Sequence, residues 1–307
     1  MVLPLAMAEP ILPLPDADLA ALFARPFRLL RPEQPRSPFL FASPHSGRRY
    51  PASLAAASRL DALMLRRSED AFVDELFAEV TALGAPLLAA EFPRVFLDVN
   101  RGMGELDASM FAAPLGVAVD VPSARVTAGL GVIPRIVRDG AEIYRGKLAP
   151  QEARTRLELL YRPYHQALAA LAAETRARFG AAVVVDCHSM PSGLAAPDIV
   201  LGDRYGASAS PLLSRLAEEA FISEGFSVTR NAPYAGGHTT TLYGRVHEGV
   251  HALQIEINRG LYLDEERITK KPNFEALKLR LTAALTRIMK IDIAVLQPLR
   301  KLPEAAE

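Results

Sequence analysis

The chain has 307 residues, 50% of them hydrophobic and 23% charged, and its 35 basic and 35 acidic side chains give a formal net charge of +0. Such a chain can bury a sizeable core and is not globally disordered, and its balance gives no bulk attraction to nucleic acid or to an anionic membrane. A single cysteine, Cys187, excludes an intrachain disulfide framework and fits a reducing cytosol, so a cytoplasmic protein is expected.

The first residues, Met1-Val2-Leu3-Pro4-Leu5, are apolar but carry no basic n-region, and prolines follow at 10, 13 and 15, so an irregular arm is expected here, not a signal peptide. Apolar spacing predicts a helix at about 16–25 and a strand at 38–43, the latter running into Ser43-Pro44-His45-Ser46-Gly47. A helix at 69–83 would open on the acidic cluster Glu69-Asp70, followed by strands at 86–91 and 95–100. The stretch 102–148 is rich in Gly and Pro and weak in either period; it is read as a loop-rich insertion beside an active site, serving as a lid.

The firmest helix is 149–178, where Leu157, Leu160, Tyr161, Tyr164, Leu168 and Leu171 recur at helical spacing and Gly180 supplies a stop; Pro163 should kink or split it. Strands at 182–187, 198–202, 226–230 and 250–258 alternate with helices at 210–224 and 273–290, and a frayed tail is expected over 302–307. No segment is apolar over a membrane-spanning length, and there is no internal repeat or clear linker. The whole chain, 1–307, therefore reads as one α/β domain: a mixed, mainly parallel sheet sandwiched by helices.

Two histidines stand where apolar runs turn into polar loops, His45 after 38–43 and His188 in Val185-Asp186-Cys187-His188-Ser189. In an open α/β sheet such strand ends form the ligand-binding edge. Residues two apart on a strand share a face, so Asp186 and His188 point one way and Cys187 the other. Asp186 could orient His188 or bind water near it, or the two could simply cap the strand end, while the alternation argues against a Cys187–His188 nucleophilic pair.

Asp70 or Glu69 would complete a two-histidine, one-carboxylate zinc site; the plainer alternative is that both acids simply favour a helix N-terminus. Asn100 and Arg101, at the end of the 95–100 strand, offer donors for a substrate carboxylate. Glu256, between Ile255 and Ile257, is a buried acid that needs either a partner or a chemical role. It could be the general base near a zinc-bound water, or the ion-pair partner of Arg259 or Arg101. Gly236-Gly237-His238-Thr239-Thr240 reads as a substrate-contact loop, with a hairpin turn as the plainer alternative. His165, His247 and His251 lack such context and are read as structural or surface residues.

Taken in order, Ser43-Pro44-His45-Ser46-Gly47, Asp70-Ala71-Phe72-Val73-Asp74, Phe96-Leu97-Asp98-Val99-Asn100-Arg101, Asp186-Cys187-His188-Ser189, Asp198-Ile199-Val200-Leu201-Gly202, Gly236-Gly237-His238-Thr239-Thr240 and Gly249 to Glu256 resemble the N-formylglutamate amidohydrolase family. The resemblance spans about 38–265. It implies a fold similar to zinc carboxypeptidases, one catalytic zinc, and hydrolysis of N-formyl-L-glutamate or a related N-acyl amino acid in histidine catabolism. Carried over, His45 and His188 are metal ligands with Asp70 or Glu69 as the third, and Glu256 is the base. Arg101 with Asn100 is the carboxylate clamp, Arg259 is a second candidate, and His238 and Thr240 contact substrate. Zinc carboxypeptidases place a Glu three residues after the first histidine, where this chain has Arg48, so the carboxylate ligand has to come from elsewhere. The competing expectations are a metal-dependent peptidase or amidase on another substrate, and a non-catalytic small-molecule binder on the same fold.

Overall fold

The computed structural model describes residues 17–137, 140–193 and 196–297, so the expected N-terminal arm and C-terminal tail lie outside the described residues. Strands β1 (Phe27–Leu30), β2 (Phe39–Ser43), β3 (Leu87–Ala90), β4 (Ala182–Met190), β5 (Ile199–Gly202), β6 (Val228–Arg230) and β7 (Val250–Asn258) form one sheet in the order β1-β3-β2-β4-β7-β5-β6. The central strands β3, β2, β4 and β7 run parallel, β1 pairs antiparallel with β3, and β5 pairs antiparallel with β7 while carrying β6 parallel to itself.

The helices are α1 (Ala17–Ala24), α2 (Ala52–Ala57), α3 (Ala62–Arg66), α4 (Val73–Leu76), α5 (Ala124–Thr127), α6 (Pro150–Arg156), α7 (Arg162–Phe179), α8 (Pro211–Ser223), α9 (His238–Tyr243) and α10 (Phe274–Ile288). Alternation along the strands feeds two separate cores. Val183, Val185 and Cys187 pack with Leu213 and Phe221 of α8 and Leu281 of α10. Ala182 and Val184 face the other way, with Leu168 and Leu171 of α7. A mixed, mainly parallel sheet between helical layers is thus the architecture, as the alternating pattern predicts. Among the described residues no helix is long and apolar enough to cross a membrane.

Three expectations need correction. Residues 95–100 form turns, not a strand: the Phe96 amide closes back on the Pro93 carbonyl and the Asp98 amide donates to Val132, outside any strand. Their apolar side chains, Val95, Phe96, Leu97 and Val99, are buried against the core, which mimics a strand in the sequence. The helix expected at 69–83 is a single turn, α4, and a 3-10 turn at Ala78–Thr81, because Phe72 adopts a left-handed conformation with φ 63° and breaks the run. Glu69 and Asp70 therefore precede the helix, and Asp70 and Asp74 share no helix face.

Pro163 does not split the long helix. It sits in the first turn of α7, and a π turn at Leu157–Tyr161 joins α6 to α7 ahead of it. The described residues of 102–148 form only short turns, at Ala108–Met110 and Ala124–Thr127, and they bury Leu106, Phe111, Val132, Ile133 and Ile143 in the same core as α7. Strand β1 and helices α2, α3 and α9 do not follow from periodicity, because each is too short, at six residues or fewer, to establish one.

His165 of α7 fixes its own tautomer. Its Nε2–H donates to the Val99 carbonyl (2.9 Å), the Tyr243 hydroxyl stands 3.0 Å from Nδ1 and donates to the His165 carbonyl (3.1 Å), and burial pulls the imidazole pKa from 6.5 down to about 4. A histidine held neutral contributes stability that is complete above the unfolded pKa and is lost as pH falls from about 6.5 towards about 4. Urea titrations should show the wild type losing on the order of 1 kcal/mol more per pH unit in that window than His165→Gln. Parallel profiles would show that His165 is not held neutral.

Candidate metal centre

The strand ends converge as the topology requires. β2 ends at Ser43, and the turn that follows presents His45; the Ser43 and Ser46 hydroxyls bond to each other at 2.8 Å inside it. A Cβ at Gly47 would stand 2.1 Å from the Phe92 carbonyl oxygen, so this turn closes only over glycine. The His45 carbonyl in turn accepts the Asp70 amide (3.0 Å), which docks the 69–72 loop onto the same turn. On the neighbouring strands, β4 and β7 are in register with Asp186 opposite Gln254 and His188 opposite Glu256, all four on the α7 side of the sheet.

His45 Nδ1 and His188 Nδ1 lie 3.3 Å and 3.0 Å from the same oxygen of Asp70, Oδ2, and the three side chains are buried. One ligand atom from each lies within 4.8 Å of the others. Each imidazole is backed by a second carboxylate: His45 Nε2–H donates to Asp98 (2.7 Å), and His188 Nε2–H to Asp186 (2.9 Å). With the Nε2 protons held by Asp98 and Asp186, both Nδ1 atoms turn to Asp70, where either a proton on a ring or a metal cation relieves the meeting of lone pairs. The donor set, two imidazoles and a carboxylate each held from behind, fits zinc with a position left open.

The electrostatics agree. Burial would raise Asp70, but hydrogen bonds from His188 and His45 and the charge of Arg259 hold it well below the usual carboxylate range. Burial opposes ionisation of Asp98 too, and His45, Arg94 and Arg101 again hold it well down. Glu256 goes the other way. Burial dominates, His188 offsets part of it and Asp70 adds to it, and its pKa rises to about 7. Its hydrogen-bond partner is the Gln254 amide, which donates at 2.8 Å. Neither Arg259 nor Arg101 pairs with it, contrary to the alternative expected for a buried acid.

These groups line a cavity of about 360 Å³, together with Arg94, Arg101, Arg125 and Gly237. The segment 102–148 supplies Arg125, Leu130, Pro134 and Ile136 to its wall.

Several residues expected here are engaged otherwise. The Glu69 carboxylate accepts from the Tyr50 hydroxyl (2.7 Å) and from Arg66 (2.9 Å), so it is turned away from the cluster that Asp70 joins. Asn100 lines the cavity and is bonded within the protein: its amide donates to Asp186 (3.2 Å), lies 3.1 Å from His188 Nε2, and its Oδ1 accepts the Thr239 amide (2.8 Å). Arg259 donates to Asp70 Oδ1 (2.8 Å) and to Ser189 (3.1 Å), orienting a carboxylate of the chain while also lining the cavity.

His238 and Thr240 lie on α9. His238 bonds the Tyr161 hydroxyl (3.1 Å) and faces a separate cavity between α7 and α9, while the buried Thr240 hydroxyl donates to the Gly237 carbonyl. The stretch read as a substrate loop or hairpin is a helix start that clamps Asn100. A Cβ at Gly237 would stand 2.5 Å from Asn100 Nδ2. Gly237→Ala should therefore push Asn100 aside and cost about 1–3 kcal/mol in urea unfolding, as overpacking does; an unchanged midpoint would refute the close packing.

Cys187 points into the opposite core, away from His188. Reasoning from sequence passed over Asp98 and Arg94, whose only signal was an acid two residues before Asn100. It also passed over Gln254, which stands two residues before Glu256 on the same strand face.

A family model described as N-formylglutamate amidohydrolase matches residues 37–263. N-formylglutamate deformylase of Pseudomonas aeruginosa is 33% identical over 240 residues, covering 75% of this chain and 84% of the relative. The enzyme of the same name from Pseudomonas putida is 30% identical over 247 residues, covering 78% and 86%. The crystal structure of N-formylglutamate amidohydrolase from Ralstonia eutropha JMP134 superposes with a TM-score of 0.81 at 36% identity, covering 86% of this chain and 97% of that one.

Proposed function

Since the chain belongs to the N-formylglutamate amidohydrolase family, we propose that it hydrolyses the formyl amide of N-formyl-L-glutamate, using a zinc ion held by His45, Asp70 and His188. The observation that carries this reading is the convergence of two carboxylate-backed imidazoles and one buried carboxylate in a cavity that also holds Glu256. Zinc bound there would supply Lewis-acid polarisation of the scissile carbonyl and a more acidic water.

The chain's own groups do the remaining work. Asp98 and Asp186 keep the proton on Nε2 of each imidazole, so that Nδ1 would be free to hold the metal. Arg259 fixes the Asp70 carboxylate through its other oxygen, leaving Oδ2 for the metal. Glu256 accepts a proton from the attacking water and delivers it to the departing amino nitrogen, and the Gln254 amide holds its carboxylate in place for both transfers. A pKa raised to about 7 suits a group that must take up and release a proton near neutrality. Arg101, lining the same cavity, clamps a substrate carboxylate and so contributes to positioning.

The test is product analysis. Zinc-loaded protein should release formate and glutamate in equal amounts from N-formyl-L-glutamate. Zinc-loaded protein that binds this compound without turnover would make it a binder on this fold.

A further inference from the structure

Arg101 is a buried cation with little to neutralise it. It is 8% exposed, its Nε–H donates to the Leu130 carbonyl (2.9 Å) and its Nη1–H to the Asn100 carbonyl (2.7 Å). The one carboxylate within ion-pair range among the described residues is Asp98, at 3.9 Å, and Asp98 already accepts from His45, Arg94 and the Asn100 amide. Burial and the like charges of Arg94 and Arg125 pull the Arg101 pKa below its ordinary value, against the pull of Asp98 and of Glu105. A buried guanidinium in this condition gains by meeting an anion.

Arg125 lines the same cavity from a different part of the chain, the α5 turn of the 102–148 segment. Among the described residues no carboxylate lies within ion-pair distance of it. The turn that carries it is anchored beside Arg101. Ser123 caps α5 by accepting the Val126 amide (3.3 Å), its hydroxyl donates to Glu105 (3.2 Å), and the other Glu105 oxygen accepts the Gly102 amide (2.8 Å). Glu105 thus ties the residue after Arg101 to the residue before Ala124, and the two guanidinium groups face one cavity with no acid bridging them.

We propose that Arg125 is a specificity-determining residue: with Arg101 it lets the cavity take an N-formyl amino acid bearing two carboxylates, Arg101 engaging the one nearer the amide and Arg125 the distal, side-chain carboxylate. This inference rests on the hydrolytic reading above and adds to it the group that selects an acidic side chain. The α5 turn, outside the sheet, thereby sets substrate class while the strand ends do the chemistry. A charge-assisted, two-donor contact made equally in the ground and transition states shows in KM and leaves kcat unchanged.

The experiment compares N-formyl-L-glutamate with its neutral isostere N-formyl-L-glutamine in the wild type, Arg125→Ala and Arg125→Lys, each zinc-loaded. Arg125 is exposed, so both variants should fold, which the unfolding midpoint checks. Arg125→Ala should raise KM for N-formyl-L-glutamate about ten- to a hundredfold with kcat nearly unchanged. It should leave kcat/KM for N-formyl-L-glutamine within about twofold of wild type, and Arg125→Lys should recover part of the loss. Equal losses on both compounds, or no loss on either, would overturn the assignment. Failure of the zinc-loaded wild type to hydrolyse either compound would instead count against the hydrolytic reading itself.

Discussion

Glu256→Gln should lower kcat for N-formyl-L-glutamate by about 10²- to 10⁴-fold while the protein still binds zinc. The substitution keeps the side chain's length and leaves an oxygen to accept from the Gln254 amide, so the strand pair β4–β7 need not move. It removes only the capacity to take up a proton. The Glu256 carboxylate is held by Gln254 and stands outside the His45–Asp70–His188 cluster, so metal content should stay at the wild-type level. A variant with wild-type kcat would remove Glu256 from proton transfer. A variant that lost zinc as well would make it part of the metal's support.

His188→Ala should have the other large effect, lowering zinc affinity at least about a hundredfold and abolishing turnover with it, since it removes a ligand atom. Asp186→Asn offers a graded comparison. It leaves the ligand in place and weakens the partner of its Nε2–H, so zinc affinity should fall about 10- to 100-fold. The pH dependence has a definite sign. Burial alone would lower His188, but Asp186 and Asp70 raise it well above the ordinary histidine value, so a proton competes with metal for this ring. Zinc affinity should therefore fall as pH falls. Isothermal titration at two pH values measures it, and affinity independent of pH would show that no proton is displaced.

The strand ends were legible in the sequence because their signals are local. Apolar runs that stop at His45 and His188, and a two-residue alternation that puts Asp186 with His188 and sends Cys187 the other way, need no knowledge of distant contacts. The choice between Glu69 and Asp70 does. It turns on contacts far along the chain, with Tyr50 and Arg66 taking the Glu69 carboxylate while Asp70 joins His45 and His188.

Asn100 and Arg259 show the same limit from another side. A polar residue at a strand end or in a buried turn has the same sequence signature whether it faces a ligand or another polar group of the chain, and here both bond to the chain while lining the cavity. The 95–100 run imitated a strand because a buried turn and a buried strand need the same apolar side chains. The wall formed by 102–148 was hidden for lack of any period, although its Leu106, Phe111 and Ile133 are buried in the core.

Hydrolysis should depend on a metal ion at His45, Asp70 and His188. The most direct test is to deplete the protein of metal and follow turnover of N-formyl-L-glutamate as zinc is returned. Activity should start near zero and rise linearly to a break at one equivalent per chain. Full turnover by the metal-depleted protein would contradict the account.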